Sequence, residues 1–217
     1  MKTTLLFFFS VALATCVSCS KDEITGSGDI ISETREVSLF SKVRSEGVFA
    51  VTIARGDVQS VEIMADNNIL GKVRTVVSGD ELRLFLDDDY NYGKVYLRAN
   101  ITVARLNGLK NFGAGELHVF GVDETGRFDL INSGSGTITL EGSAGSVDVF
   151  NEGSGNINAF DFMVAQCSAT MIGSGDLEIE CSDSLRASLE GSGNIYYLGT
   201  PVIEATIEGS GQIISAN

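Results

Sequence analysis

The chain contains no tryptophan, one proline and one histidine in 217 residues, and each scarcity removes a class of protein from consideration. A lone histidine, His118, rules out a multi-histidine metal site and leaves a Ser-His-Asp triad with a single candidate base. Long apolar runs are missing too. The run Leu5–Leu13 holds nine residues and no later segment comes close to the ~20 a membrane-spanning helix needs. Positive charge is short: 15 Lys and Arg stand against 29 Asp and Glu, a net charge of −14. Such a surface repels nucleic acid and anionic lipid, so neither is an expected partner. With 43% hydrophobic residues the chain has enough apolar side chains to fold. Of four cysteines, Cys16 and Cys19 fall near the N-terminus. Cys167 and Cys181 lie 14 residues apart and make no disulfide framework; they read as two small buried hydrophobes, with an oxidised pair as the alternative.

The N-terminus carries Lys2, then Leu5–Leu13, then small or polar residues down to Ser18-Cys19-Ser20. That is the layout of a secretory signal, and a cysteine at the expected cut marks lipoprotein processing. Residues 1–18 are therefore expected to be the signal, with Cys19 lipidated and residues 19–36 a polar tether; Leu13-Ala14-Thr15-Cys16 offers a second cut. Acyl chains at roughly 0.8 kcal/mol per buried CH₂ would hold the protein on a membrane without insertion. The stretch Ser20-Lys21-Asp22-Glu23 resembles the acidic tag that sends some Gram-negative lipoproteins to the outer face of the outer membrane. Residues 37–217 are long enough for one domain with a real core, and nothing forces a second.

What the chain does have is glycine, 25 residues of it, and its placement is periodic. Gly-Ser-Gly recurs at 134–136, 153–155, 173–175, 191–193 and 209–211, with Gly113-Ala114-Gly115 as an earlier variant. First glycines are spaced by 21, 19, 20, 18 and 18 residues. Six, four and two residues before each triplet stand Phe128-Leu130-Asn132, Val147-Val149-Asn151, Cys167-Ala169-Met171, Leu185-Ala187-Leu189 and Ile203-Ala205-Ile207. Between them the residues are mostly polar. Alternation with period two is a strand with one face in a core. A unit of 18–21 residues suits one coil of an all-β solenoid, each coil stacked on the last at about 4.8 Å.

Glycine fits the corners of such a coil because it reaches positive φ without a Cβ clash, and the serine between two glycines can turn its hydroxyl onto the next coil. The scarcity of proline follows, since interior strands need every N–H. Asn132 and Asn151 hold equivalent inward positions, so they either form a buried amide ladder or mark a wide hydrated corner. Residues 37–110 lack the clean period but carry strand signals at Gly47–Ala54, Ser60–Ala65, Val73–Val77, Glu81–Leu86 and Lys94–Val103. These irregular coils or hairpins are expected to cap one end of the stack; residues 111–217 hold the regular coils, about six of them.

The run Phe40-Ser41-Lys42-Val43, then Gly47–Ile53, Arg55-Gly56-Asp57, Val61–Asp66 and Ile101-Thr102-Val103, leading into the Gly-Ser-Gly array, resembles the auto-transporter adhesin head domain family, also called the head GIN domain. The resemblance spans roughly Val37 to Asn217. It implies a right-handed, single-stranded β-helix on an exported bacterial protein, an adhesin role, and no catalytic residues. Members often carry Pro just before the array, where this chain has Ala104-Arg105-Leu106, so that corner is expected to differ.

Candidate sites are few. His118 alternates with Leu117 and Val119 and is expected to point outward. Gly-Ser-Gly is followed by no Gly-x-x-Gly or Gly-Lys-Ser/Thr pattern, which sets phosphate loops aside. Asp87-Asp88-Asp89 is a weak candidate for Ca²⁺ and otherwise a solvated loop. Ile131, Phe150 and Ile172 are apolar at outward positions of successive coils: exposed, they form a patch; if the wall curves, the first half of the chain covers them. Glu190 and Glu208 fall at the same outward position, about 5 Å apart by stacking. These five residues form the candidate binding wall. No cofactor and no metal are expected.

The signal, the repeat and the resemblance together imply a cell-envelope lipoprotein of the outer membrane, exposed at the surface, that adheres without catalysis through a flat acidic wall. Its expected contacts are the membrane through the lipid, a surface protein or glycan ligand, and a second copy of the chain. A structural envelope lipoprotein and a polysaccharide-active β-helix enzyme are the alternatives.

Overall fold

The computed structural model describes residues 21–217; the expected signal and both candidate lipidation cysteines, Cys16 and Cys19, lie outside the described residues. In chain order the elements are Glu23–Ile24 (β1), Ile30–Thr34 (β2), Lys42–Gly47 (β3), Ala50–Arg55 (β4), Ser60–Asp66 (β5), the helical turn Asn67–Leu70 (α1), Val73–Ser78 (β6), Glu81–Leu86 (β7), Asn91–Tyr92 (β8) and Leu97–Val103 (β9). The array follows as Gly108–Gly113 (β10), Glu116–Asp123 (β11), Arg127–Gly134 (β12), Thr137–Gly153 (β13), Ile157–Gly173 (β14), Leu177–Gly191 (β15), Ile195–Leu198 (β16), Val202–Gly209 (β17) and Ile213–Ser215 (β18).

Parallel pairing between successive coils makes a β-solenoid of about five turns. One wall, here the first, runs β6–β7–β3–β10–β12, then the second halves of β13, β14 and β15, then β17. The opposite wall runs β2–β5–β9–β4–β11, then the first halves of β13, β14 and β15, then β16 and β18. About six regular coils are expected from the triplets; the structure has about five turns, since the strand after the last triplet, β18, holds three residues.

The corners show why the triplet needs two glycines. Gly113, Gly134, Gly153, Gly173, Gly191 and Gly209 all have φ between +112° and +138°. They also stack on one another. A Cβ on Gly153 would sit 2.4 Å from the carbonyl oxygen of Gly134, and one on Gly155 would sit 2.3 Å from that of Gly136. The oxygen of the first glycine is close because it accepts hydrogen bonds from the next coil: the N–H groups of Ser154 and Gly155 both donate to Gly134 O at 3.0 Å. The serine thus binds the neighbouring coil through its backbone, and its side chain faces solvent, contrary to the expected hydroxyl contact. The column begins before the recognisable array, at Gly47-Val48-Phe49, where Ala114 N–H donates to Gly47 O.

Inward positions fill the space between the walls. Phe128, Leu130, Val147, Val149, Cys167, Ala169, Met171, Leu185 and Leu189 are buried, and Phe128 meets Phe162 edge-on at 5.5 Å. The asparagines settle as a dry ladder. Asn111 Nδ2 donates to Asn132 Oδ1 at 3.0 Å and Asn132 Nδ2 to Asn151 Oδ1 at 3.1 Å. Each Nδ2 also donates to the second glycine of its own corner, so the ladder ties the core row to the triplet. A second ladder runs just past the corner, where Asn156, Asp176 and Asn194 each accept the backbone N–H of the matching residue one coil on.

The first half caps the stack as expected. β3 and β4 continue the two walls in parallel, while β2, β5 and β6 add antiparallel strands at that end. The buried Asp66 carboxylate organises the cap, accepting the N–H of Gly28 at 2.8 Å and of Tyr96 at 2.7 Å. This also corrects the expected tether: Glu23–Ile24 and Ile30–Thr34 are docked strands, held by those bonds and by Asn68, which accepts the Ser27 N–H and donates to the Thr25 carbonyl. At Ala104-Arg105-Leu106 the corner is clamped by Arg105, whose guanidinium makes two bonds to buried Glu124.

Two predictions follow from corners and core. Gly153→Ala, which meets both a positive φ and a backbone oxygen, should cost at least about 2 kcal/mol in urea unfolding. Gly126→Ala, with open space around its Cβ, should stay within about 1 kcal/mol. Cys167 and Cys181 are free and buried. Burial pushes the thiol pKa of each upward. Neither should react with a thiol reagent at pH 8 until denaturant is added.

Candidate functional site

The outward face of the first wall is built from the side chains that alternate with the core rows. Strand register sorts them into columns. One column reads Arg83, Arg44, Lys110, Ile131, Phe150, Thr170, Ser188, Thr206. Its neighbour reads Glu46, Phe112, Ser133, Glu152, Ile172, Glu190, Glu208. The five expected wall residues therefore share one face but not one column. Ile131 and Phe150 are direct neighbours, Ile172 is diagonal to Phe150, and Glu190 and Glu208 are in register. No described strand of the first half lies over them, and Ile131, Phe150 and Ile172 remain partly exposed. Ile131 and Phe150 floor an open depression rimmed by Lys110, Arg127, Asp129, Asp148, Ser168 and Thr170.

The wall is not uniformly acidic. Toward the cap, Arg74, Arg83, Lys42, Arg44, Lys110 and Arg127 face outward against Glu81, Glu46 and Asp129. Toward the far end, Asp148, Glu152, Glu190, Glu204 and Glu208 outnumber Arg186. The cations at the capped end are held in a lattice. Glu46 accepts a bond from Arg44 at 2.6 Å and from two nitrogens of Arg83, Nε at 2.7 Å and Nη2 at 2.8 Å. Lys110 reaches Glu81 at 2.6 Å, and Arg127 bridges Asp129 and Asp148. The hydrogen bond from Arg83, then the one from Arg44 and the charges of both arginines, hold the Glu46 carboxyl below the ordinary carboxylate range against the opposing effect of burial. Arg44 also lies over the Phe112 ring at 4.5 Å. The result is a set of paired charges beside an apolar floor.

Other expected sites fare differently. Asp87, Asp88 and Asp89 do gather their carboxylates, but Asp87 is taken by Arg74 at 2.6 Å, which lowers its pKa, and the other two are exposed on a loop beside Tyr90, with Lys72 over the Tyr90 ring. His118 points outward on the second wall, stacked on Phe120 at 6.5 Å. The cation lattice was missed in sequence because its members come from four separate stretches; only the outward lysine and arginine in β3 and β7 hinted at it.

The family model described as "Putative auto-transporter adhesin, head GIN domain" matches residues 39–201. Among solved structures, the fold resembles a "putative adhesin" from Bacteroides fragilis at 23% identity, with a TM-score of 0.74, covering 88% of this chain and 99% of that one. A "putative adhesin" from Parabacteroides distasonis is similar at 21% identity and TM-score 0.57, covering 90% of this chain and 100% of the other. A "putative lipid binding protein" from the same organism is similar at 20% identity and TM-score 0.56, again covering 90% and 100%. No curated protein matches the chain.

The Glu46 cluster has a pH signature. Because its carboxyl is more acidic when folded than unfolded, its stabilisation is complete at neutral pH and is lost as pH falls below about 4.3 toward the folded value. Melting temperatures from pH 7 down to pH 3 should fall less steeply for Glu46→Gln than for the parent chain.

Proposed function

The chain belongs to the family described as "Putative auto-transporter adhesin, head GIN domain", and from that membership we propose a non-catalytic adhesion domain of the cell envelope, carried on the outer membrane by a lipid on Cys19 and binding a surface glycan through its first wall. In this reading residues 1–18 are removed as a signal, and residues 37–217 form one domain. The observation that carries it is the uncovered depression over Ile131 and Phe150, which combines an apolar floor with fixed charges and hydroxyls at its rim. An aromatic platform takes the apolar face of a sugar ring, while Lys110, Asp129, Asp148, Ser168 and Thr170 offer donors and acceptors for its hydroxyls. The wall is a poor place for glycan cleavage. Glu46, Glu81, Asp129, Asp148 and Glu204 are each tied to a cation. Glu190 and Glu208, paired in register on neighbouring coils, are both exposed on the open sheet face. Lipid binding, the activity named for one structural neighbour, finds less support, since the space between the walls is filled by the core side chains.

Two measurements test the reading. On intact cells an added protease should remove the domain, and the full chain should bind at least one bacterial or host glycan about tenfold more tightly than Phe150→Ala does. Protection from protease together with no glycan binding would replace adhesion with a structural envelope role.

A further inference from the structure

The end of the stack opposite the cap is open. β17 hydrogen-bonds to β15 along one edge, has no partner strand among the described residues along the other, and exposes all eight of its residues. Its core-facing row, Ile203, Ala205 and Ile207, continues in register the buried row Leu185, Ala187 and Leu189, yet Ile203 is 39% and Ile207 45% exposed. An unpaired edge of this length with an apolar row beside it calls for a strand. The capped end is a poorer match, for although β2 and β6 each keep a free edge they are shorter, five and six residues against eight, and the core-facing Val73 and Val77 of β6 are already buried or half-buried. A β17 edge of a second copy matches both in length and in its exposed core row.

We propose that two copies of this chain pair end to end through antiparallel β17–β17 contact, about a two-fold axis that passes Ala205 and crosses both walls. The register follows from two constraints. Directly opposed residues on antiparallel strands point to the same face, so core-facing residues must meet core-facing residues. Like charges must also not meet. Centring on Glu204 sets that carboxylate against its own mate, and centring on Thr206 sets Glu204 against Glu208. Centring on Ala205 mates Ile203 with Ile207, Ala205 with Ala205, Glu204 with Thr206 and Val202 with Glu208. The two glutamates thus select one register rather than forbid pairing. A strand of eight residues at about 3.3 Å each, and two walls about 10 Å apart with their own thickness, give an end face near 500 Å² per copy, or about 1,000 Å² in all, the lower bound for a specific interface.

The axis also sends the two capped ends in opposite directions. The first described residues dock at the cap, so copies anchored at Cys19 would meet tip to tip from facing envelopes. This bridging rests on the anchor proposed above; the pairing does not.

Sedimentation equilibrium of the full chain in density-matched detergent tests the pairing by itself. The chain should show a monomer–dimer equilibrium that Thr206→Glu weakens about tenfold, by opposing it to Glu204, and that Thr206→Lys tightens. Thr206 is exposed and faces outward, so either substitution leaves the monomer folded. A chain that stays monomeric at about 100 μM, or two substitutions that act alike, overturns the pairing. Aggregation of cells displaying the chain should follow the same order; dimers that obey it while cells stay dispersed overturn the bridging alone.

Discussion

The separation of successive coils governs this structure. Backbone hydrogen bonds hold neighbouring coils about 4.8 Å apart, and at the corners that distance leaves no room for a Cβ between one glycine and the carbonyl of the glycine before it. The same carbonyls take the N–H groups of the following serine and glycine. A side chain at either glycine would push the coils apart at one edge and break the register along both walls. The asparagine ladder depends on this register too, since its amides reach each other only when equivalent positions align.

The spacing constrains inward positions and corners and leaves the outward positions free to vary. On the first wall that freedom is used for a gradient, from interlocked cations near the cap to an excess of carboxylates at the far end, where Glu190 and Glu208 meet no cation among the described residues. Between them Ile131 and Phe150 open an apolar depression. The ends of a solenoid are constrained differently. One is closed by antiparallel strands around Asp66, and the other presents an intact strand edge with its core row exposed.

Part of the first half was legible almost residue by residue: Ser60–Ala65, Val73–Val77 and Glu81–Leu86 appear as strands with the same starts, whereas the expected Gly47–Ala54 and Lys94–Val103 begin three residues later, at Ala50 and Leu97, and Lys42–Gly47 was not expected as a strand, because alternation and turn residues are local properties while the ends of pairing are not. Less was legible about contacts between coils. Ile172 lies one residue before its glycine whereas Ile131 and Phe150 lie three before theirs, so alternation alone put all three on one face while register separates them into two columns. The docked strands Glu23–Ile24 and Ile30–Thr34 read as a polar tether because their stability comes from partners some 30 to 70 residues away. The ladder of Asn156, Asp176 and Asn194 occupies the position just after each triplet, and its role depends on an oxygen meeting an N–H one coil away.

The sequence by itself determined the all-β class, the repeat, the identity of the corners and the row that faces the core. These follow from period-two alternation and from glycine's conformational range, and neither needs knowledge of the neighbouring coil. Tertiary structure alone decided which outward residues become neighbours, that Glu46 joins Arg44 to Arg83, and that Ile203 and Ile207 carry a core pattern without a core around them. Those outcomes depend on register and on which coil comes last in the stack. Both arise from pairing between residues about twenty or more positions apart.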